Sequence, residues 1–136
     1  MTDGKGSTEA GDRFAHIDEV RGYPRPDLAW FAREDPELAE AYLKLTSLCL
    51  LHEDAPKGER AVGAKVREFV AIGLLCYRAN ERGVLNHMRR AVKLGATKRE
   101  LLEVCETTLI PGGAPTFSLG VRAIMQLERE GTFSGT

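Results

Sequence analysis

The residues best suited to chemistry in this 136-residue sequence are His87 and Glu68, 19 positions apart. Imidazole titrates near neutrality, so a histidine can take up and return a proton under ordinary conditions. On the wheel of a helix over 84–94, His87 falls between Ala91 and Leu94 and points toward the buried side. A core histidine bonded to a backbone carbonyl would occupy the same place. Glu68 lies in the most apolar stretch of the chain, beside Phe69 and Val70. An ionised carboxylate there costs on the order of several kcal/mol unless it is paired or holds its proton. A buried carboxyl near a histidine can divide acid and base roles between the two groups. The structural alternative pairs Glu68 with Arg67 or Lys65 at the helix surface, or with a distant arginine in a stabilising bridge.

The remaining reactive residue types are more scattered. Cys49, Cys76 and Cys105 form an odd, widely spaced set in hydrophobic surroundings. They are expected to be free core thiols, not a disulfide framework or a zinc site, and Cys76 is expected to have no thiol partner nearby. Histidines at 16, 52 and 87 show no metal-ligand spacing, and no metal or cofactor is expected. His52, at the end of a helix over 36–51, suits the helix dipole as a cation. Tyr77 ends the apolar stretch and could reach a pocket beside His87. Gly112-Gly113 precedes a helix start, where it either presents N–H groups to an anion or permits close helix packing.

The elements that must position these residues are helical throughout. An N-terminal stretch, 1–24, begins with Gly, Ser, Thr and charge and reads as a flexible arm, ending in a Pro/Gly-rich turn. The domain proper is expected over 25–136. Asp27 is placed to cap a short helix holding Leu28, Trp30 and Phe31, the aromatic residues serving as core or subunit contacts with Tyr42. Asp35-Pro36 opens a helix to about 51, with Leu38, Ala41, Tyr42, Leu45, Leu48 and Cys49 on one stripe. A polar loop follows. The helix over 62–79 is apolar nearly all round and is expected to be central, buried on several sides. Asn80 to Gly83 breaks it, an amphipathic helix runs over 84–94, and Gly95 stops it. Thr97 and Glu100 form a capping box for a helix through Leu109, which Pro111-Gly112-Gly113 ends. A last helix covers 116–129. The fold class is all-α, a compact domain of five to six helices.

Composition narrows the classes further. Hydrophobic residues make up 43% and charged residues 29%, ordinary for a globular chain with a real core. Lys and Arg total 19 against 20 Asp and Glu, so no basic excess exists to neutralise phosphates, and nucleic acid is not an expected partner. The longest apolar run, Phe69 to Cys76, is far short of the ~20 residues that cross a bilayer, so no membrane association is expected. With no signal-peptide pattern at its start, the chain reads as soluble and cytoplasmic. A helix as apolar as 62–79 in so small a domain predicts a homo-oligomer.

The stretch from Lys65 to Gly113 resembles the carboxymuconolactone decarboxylase family, within the alkyl hydroperoxidase D-like superfamily. An apolar helix is entered by Arg67-Glu68. His87 is followed by the basic pair Arg89-Arg90 and Ala91. Lys93, Gly95, Ala96, Thr97 and Glu100 then open the next helix, and a Gly-rich turn leads into Ala114-Pro115. The resemblance implies an alkyl hydroperoxidase D-like helical subunit assembled as a trimer or hexamer. In the peroxidase branch a glutamate, a C-x-x-C pair and a histidine form a proton relay. Glu68 and His87 match the outer members, but Asn80 and Gly83 occupy the cysteine positions, so dithiol turnover by that route is not available.

The decarboxylase branch lacks the cysteine pair and keeps the histidine. What it implies here is an acid/base enzyme without a cofactor, acting on a small carboxylated lactone or related ring compound in aromatic-compound catabolism. His87 would be the acid/base and Glu68 its orienting partner. An arginine among Arg67, Arg78, Arg82 and Arg90 would bind the substrate carboxylate, with Arg78 and Arg82, together with Tyr77, forming the expected substrate contacts. Keeping the glutamate while lacking the cysteines points to a side branch with its own substrate. A non-catalytic member that binds a small molecule or a protein is the second reading, and a thiol peroxidase or disulfide reductase the third.

Overall fold

A computed structural model describes residues 9–21, 24–51 and 60–134. Every regular element among them is helical, as the sequence predicts, and the chain divides into two compact units, residues 1–59 and 60–136.

The first unit holds α1 (Glu9–Arg21), α2 (Pro26–Glu34) and α3 (Pro36–Thr46), the last running into a π-helical turn over Ser47–Leu51. Where the sequence suggests a flexible arm, α1 is a helix, and it buries Phe14 and Ile17 against Leu28, Ala32, Ala39, Leu43 and Leu51. The rings of Phe14, Phe31 and Tyr42 meet in pairs at 6.2–6.5 Å. Asp35 caps α3 as expected, its side chain accepting from the Leu38 N–H at 3.1 Å. Asp27 does not cap α2. It lies inside the first turn, where Arg25 donates to its carboxylate at 2.7 and 3.0 Å and holds the carboxyl down to about 2.

The stripe expected to be buried along α3 faces outward. Ala39, Leu43 and Ser47 go inside, while Leu38, Tyr42, Leu45, Leu48 and Cys49 are exposed. The sequence offers two apolar faces on this helix, and the three-helix unit has partners for only the narrower one. Trp30 is exposed too, and His52 lies outside the described residues.

The second unit comprises α4 (Ala64–Tyr77), α5 (Glu81–Lys93), α6 (Lys98–Thr107), the four-residue α7 (Leu109–Gly112) and α8 (Ala114–Arg129). Helix α4 packs on α5, α6 and α8, around a core that includes Ile72, Val84, Met88, Leu101, Leu119 and Leu127. The helix count among the described residues is eight instead of five or six, because α1 and α7 join the six read from the periodicity. Caps set the order of these elements. Asn80 accepts from the Gly83 N–H at 2.9 Å and starts α5 three residues before the expected position. Gly95 follows α5 at φ +97, a backbone angle that favours glycine. Thr97 and Glu100 form the full capping box of α6, at 3.1 and 2.8 Å.

Among the described residues of the second unit, helix α4 is not enclosed on several sides. It buries Glu68, Ile72 and Cys76, and presents Val66, Val70, Leu74 and Tyr77 along its other face.

Candidate active site

Glu68 stands one turn into α4, on the face that packs against α5, and its side chain has no exposure. A carboxylate so placed needs compensation, and α5 supplies it from two residues one turn apart. His87 and Arg90 are spaced i, i+3, which sets them on the same side of the helix. The Glu68 Oε2 lies 2.6 Å from His87 Nδ1, and Arg90 Nε donates to Glu68 Oε1 at 2.9 Å. Both oxygens are engaged. The Arg90 side chain is 5% exposed and that of His87 is 20%, so the imidazole alone opens toward solvent.

With Glu68 taken as the carboxylate partner of the Arg90 guanidinium, the tautomer of His87 follows. An ionised carboxylate only accepts hydrogen bonds, so the proton at the 2.6 Å contact sits on Nδ1 and is donated to Glu68. Nε2 is then the basic nitrogen of the neutral ring, and the atom that carries the exchangeable proton of the imidazolium. Glu68 and Arg90 balance one another as a buried ion pair. Pairing and hydrogen bonding offset the desolvation that either charge alone would suffer.

Of the alternatives open from the sequence, the distant-arginine bridge is the one formed, and it forms together with the histidine contact. Arg67 turns to the Val62 carbonyl at 3.2 Å, and Lys65 to Glu100 at 3.1 Å. Arg90, one of four candidate carboxylate binders, is spent on Glu68. Arg78 and Arg82 lie exposed at the α4–α5 turn. Tyr77, also largely exposed, belongs instead to an apolar groove of about 620 Å³ between α4, α6, α7 and the start of α8. Val66, Val70 and Leu74 form one wall, and Val104 and Pro111 stand among the residues opposite. Neither Glu68 nor His87 lines this groove, so Tyr77 and the ion-paired histidine belong to different places. Gly112 also lines it. A Cβ there would come within 2.9 Å of the Thr116 side chain, which makes close packing the requirement at this glycine.

Cys76 and Cys105 are free, buried thiols as expected, whereas Cys49 is exposed, and Cys76, expected to have no thiol nearby, shares with Cys105 the space beside Gly120. No spacing signal joins them, because α4 and α6 are brought together only by packing. Among the described residues, no group of three or more His, Cys, Asp and Glu could hold a metal ion, and no helix is long and apolar enough to cross a membrane.

An all-helical unit with a buried glutamate bridging a histidine and an arginine is the arrangement to set beside known proteins. Residues 36–126 match the model of the carboxymuconolactone decarboxylase family, and the chain belongs to that family. A solved structure of a candidate carboxymuconolactone decarboxylase from Burkholderia xenovorans LB400 shares the fold. Its TM-score is 0.69 at 24% identity, over 88% of this chain and 90% of that one. An apo structure of a carboxymuconolactone decarboxylase family protein from Legionella pneumophila gives 0.64 at 27%, over 87% and 96%. An uncharacterized protein of Methanocaldococcus jannaschii is 27% identical over 89 residues, 65% of this chain and 86% of its own length.

Proposed function

We propose that this chain is an acid/base decarboxylase acting on a small carboxylated lactone or related ring compound. The observation that carries this reading is the bridging of His87 Nδ1 and Arg90 Nε by one fully buried carboxylate. Loss of carbon dioxide from such a substrate leaves an electron pair delocalised into the lactone carbonyl. The imidazolium of His87 then delivers its Nε2 proton to carbon, and the C–H bond formed replaces the C–CO₂ bond broken. Glu68 holds the ring in orientation and balances its charge before the transfer. The part-exposed Nε2 side recovers a proton from water. Arg78 and Arg82 are the guanidinium groups left to recognise the substrate carboxylate, since Arg67 and Arg90 are engaged. Family membership supports this chemistry by analogy of class.

The test is direct. Purified protein is mixed with 4-carboxymuconolactone generated in place by a cycloisomerase, and absorbance and carbon dioxide release are followed. Turnover that vanishes in a folded His87→Ala variant is the expected result. The absence of turnover in folded wild-type protein removes this substrate.

A second reading rests on the groove. Its named walls carry no charged side chain, which suits an uncharged apolar ligand better than a carboxylate. Binding of such a ligand without turnover would favour a non-catalytic role.

A further inference from the structure

The second unit contains another chemical pair that the Glu68–His87–Arg90 arrangement does not use. Cys76 on α4 and Cys105 on α6 are both buried, and their sulfurs come up against the same point of α8. Helix α8 passes over them at Gly120. A Cβ on Gly120 would lie 2.5 Å from the Cys105 Sγ and 3.2 Å from the Cys76 Sγ, so the two sulfurs fill the space a side chain would occupy. The pair is thus packed in place from three helices.

The interaction between the two thiols favours ionisation of one of the pair over the other, and Cys76 is taken as the attacking sulfur, the thiolate being the nucleophilic form.

Access comes from the apolar groove. Gly73 and Tyr77 flank Cys76 along α4, and Val104 on α6 and Thr108 just beyond its end flank Cys105; all four line the groove. Gly73 has no side chain, and a Cβ there would meet only the Thr108 methyl at 3.6 Å. Both cysteines are thus neighbours, along the chain, of residues that line the groove.

We propose that Cys76 and Cys105 are an oxidisable dithiol, closed to a disulfide across α4 and α6 by a small uncharged hydroperoxide admitted through the groove. The Cys76 thiolate attacks one peroxide oxygen and the O–O bond breaks. The other oxygen leaves with a proton as water or an alcohol, and Cys76 becomes a sulfenic acid. The Cys105 sulfur then attacks the Cys76 sulfur, the S–O bond breaks, and hydroxide leaves with the Cys105 proton as water. In sum, two thiols and one hydroperoxide yield a disulfide, water and an alcohol (or a second water). Two sulfurs that meet the same point on α8 need only close to the ~2.0 Å of an S–S bond. The cross-link pins the two helices that form opposite sides of the groove, and a thiol reductant releases them.

The experiment uses the full chain carrying Cys49→Ser, which removes the exposed thiol and any bridge between molecules through it. Protein is exposed to hydrogen peroxide or tert-butyl hydroperoxide, unfolded in an alkylating agent, and mapped by mass spectrometry without reductant. The expected result is a linked peptide pair containing Cys76 and Cys105 in most chains, lost on dithiothreitol treatment. In a Cys105→Ser variant, dimedone should trap a sulfenic acid at Cys76. Full alkylation of both cysteines after exposure overturns the proposal, as does oxidation of Cys76 to the sulfinic acid with no cross-link. Should Cys105→Ser fail to fold, the mapping of the Cys49→Ser protein decides alone.

Discussion

Glu68 Oε2 and His87 Nδ1 stand 2.6 Å apart across the α4–α5 interface, the glutamate fully buried and the imidazole one-fifth exposed. In the proposed mechanism that contact leaves Nε2 as the working atom. It also makes the replacement Glu68→Gln informative, because an amide has one acceptor oxygen where the carboxylate has two. Both His87 and Arg90 present N–H donors to this side chain. If the amide N–H₂ turns to His87, Nδ1 must accept and the ring proton moves to Nε2; if it turns to Arg90, two donors face each other. Glu68→Gln should therefore lower kcat by roughly 10²–10⁴-fold on any substrate turned over, with KM less affected. Steady-state kinetics on folded protein checks this, and an unchanged kcat removes Glu68 from the proton path.

Arg90 is expected to matter first for stability. Arg90→Met removes the cation and leaves a buried carboxylate with only the imidazole, a loss of about 3–5 kcal/mol. Replacing Glu68 and Arg90 together by apolar residues should cost less than the sum of the two single changes, since neither variant then strands a charge. Chemical denaturation of the three variants measures the coupling. Strict additivity would mean that the ion pair contributes nothing.

The contrast between this pair and the cysteines shows what the sequence makes legible. Glu68 is anomalous where it stands, a carboxylate among Phe69, Val70 and Ile72, so its need for a partner is visible from its neighbours in the chain alone. Arg90 cannot be singled out from four arginines by spacing, because the choice depends on the angular alignment of α4 against α5. Cys76 and Cys105 give no such signal: a cysteine in an apolar stretch packs like any small apolar residue. Caps are readable at Asp35 and Thr97, where short-range hydrogen bonding decides the outcome. The buried faces of α3 and α4 are not, because each helix is apolar on more than one side, and only the neighbours available within the chain determine which side is covered.

Gly120 should tolerate no side chain. A Cβ at 2.5 Å from the Cys105 Sγ must displace a sulfur that is itself packed between helices. Gly120→Ala is expected to cost about 1–3 kcal/mol, despite alanine's better helix propensity. Pairing it with Cys105→Ala should recover most of the loss. Thermal melts of the single and double variants test the point, and an unperturbed Tm for Gly120→Ala would contradict the close approach of α8.

The capping box of α6 predicts an acid-sensitive helix start. The Thr97 N–H, then Lys65, hold the Glu100 carboxyl below its ordinary value of 4.5. Because the folded value lies below the unfolded one, this contribution is complete above the ordinary glutamate range and is lost as pH falls through the folded value. Thr97→Ala should cost about 1 kcal/mol at neutral pH. Glu100→Gln should flatten the acid limb of the stability profile. Denaturation midpoints across the acid range measure both, and an acid limb unchanged in Glu100→Gln would assign the sensitivity elsewhere.

The exposed stripe of α4 bears on assembly. Val66, Val70 and Leu74 recur every fourth residue on the groove side of α4 and stay exposed there, and Tyr77 continues the stripe. Contiguous apolar surface of this kind marks an interaction site in a soluble protein. A homo-oligomer that packs on the outward side of this stripe and leaves the groove open, a trimer or hexamer, is the assembly proposed for the wild type. Leu74→Glu would place a carboxylate in the middle of the stripe, where burial against a second subunit would strand it without a cation. The variant is expected to be a folded monomer by light scattering, with the far-ultraviolet circular dichroism of the wild type. Wild-type protein that is monomeric at micromolar concentration would sink the assembly, and a Leu74→Glu oligomer of unchanged size would move the interface away from α4.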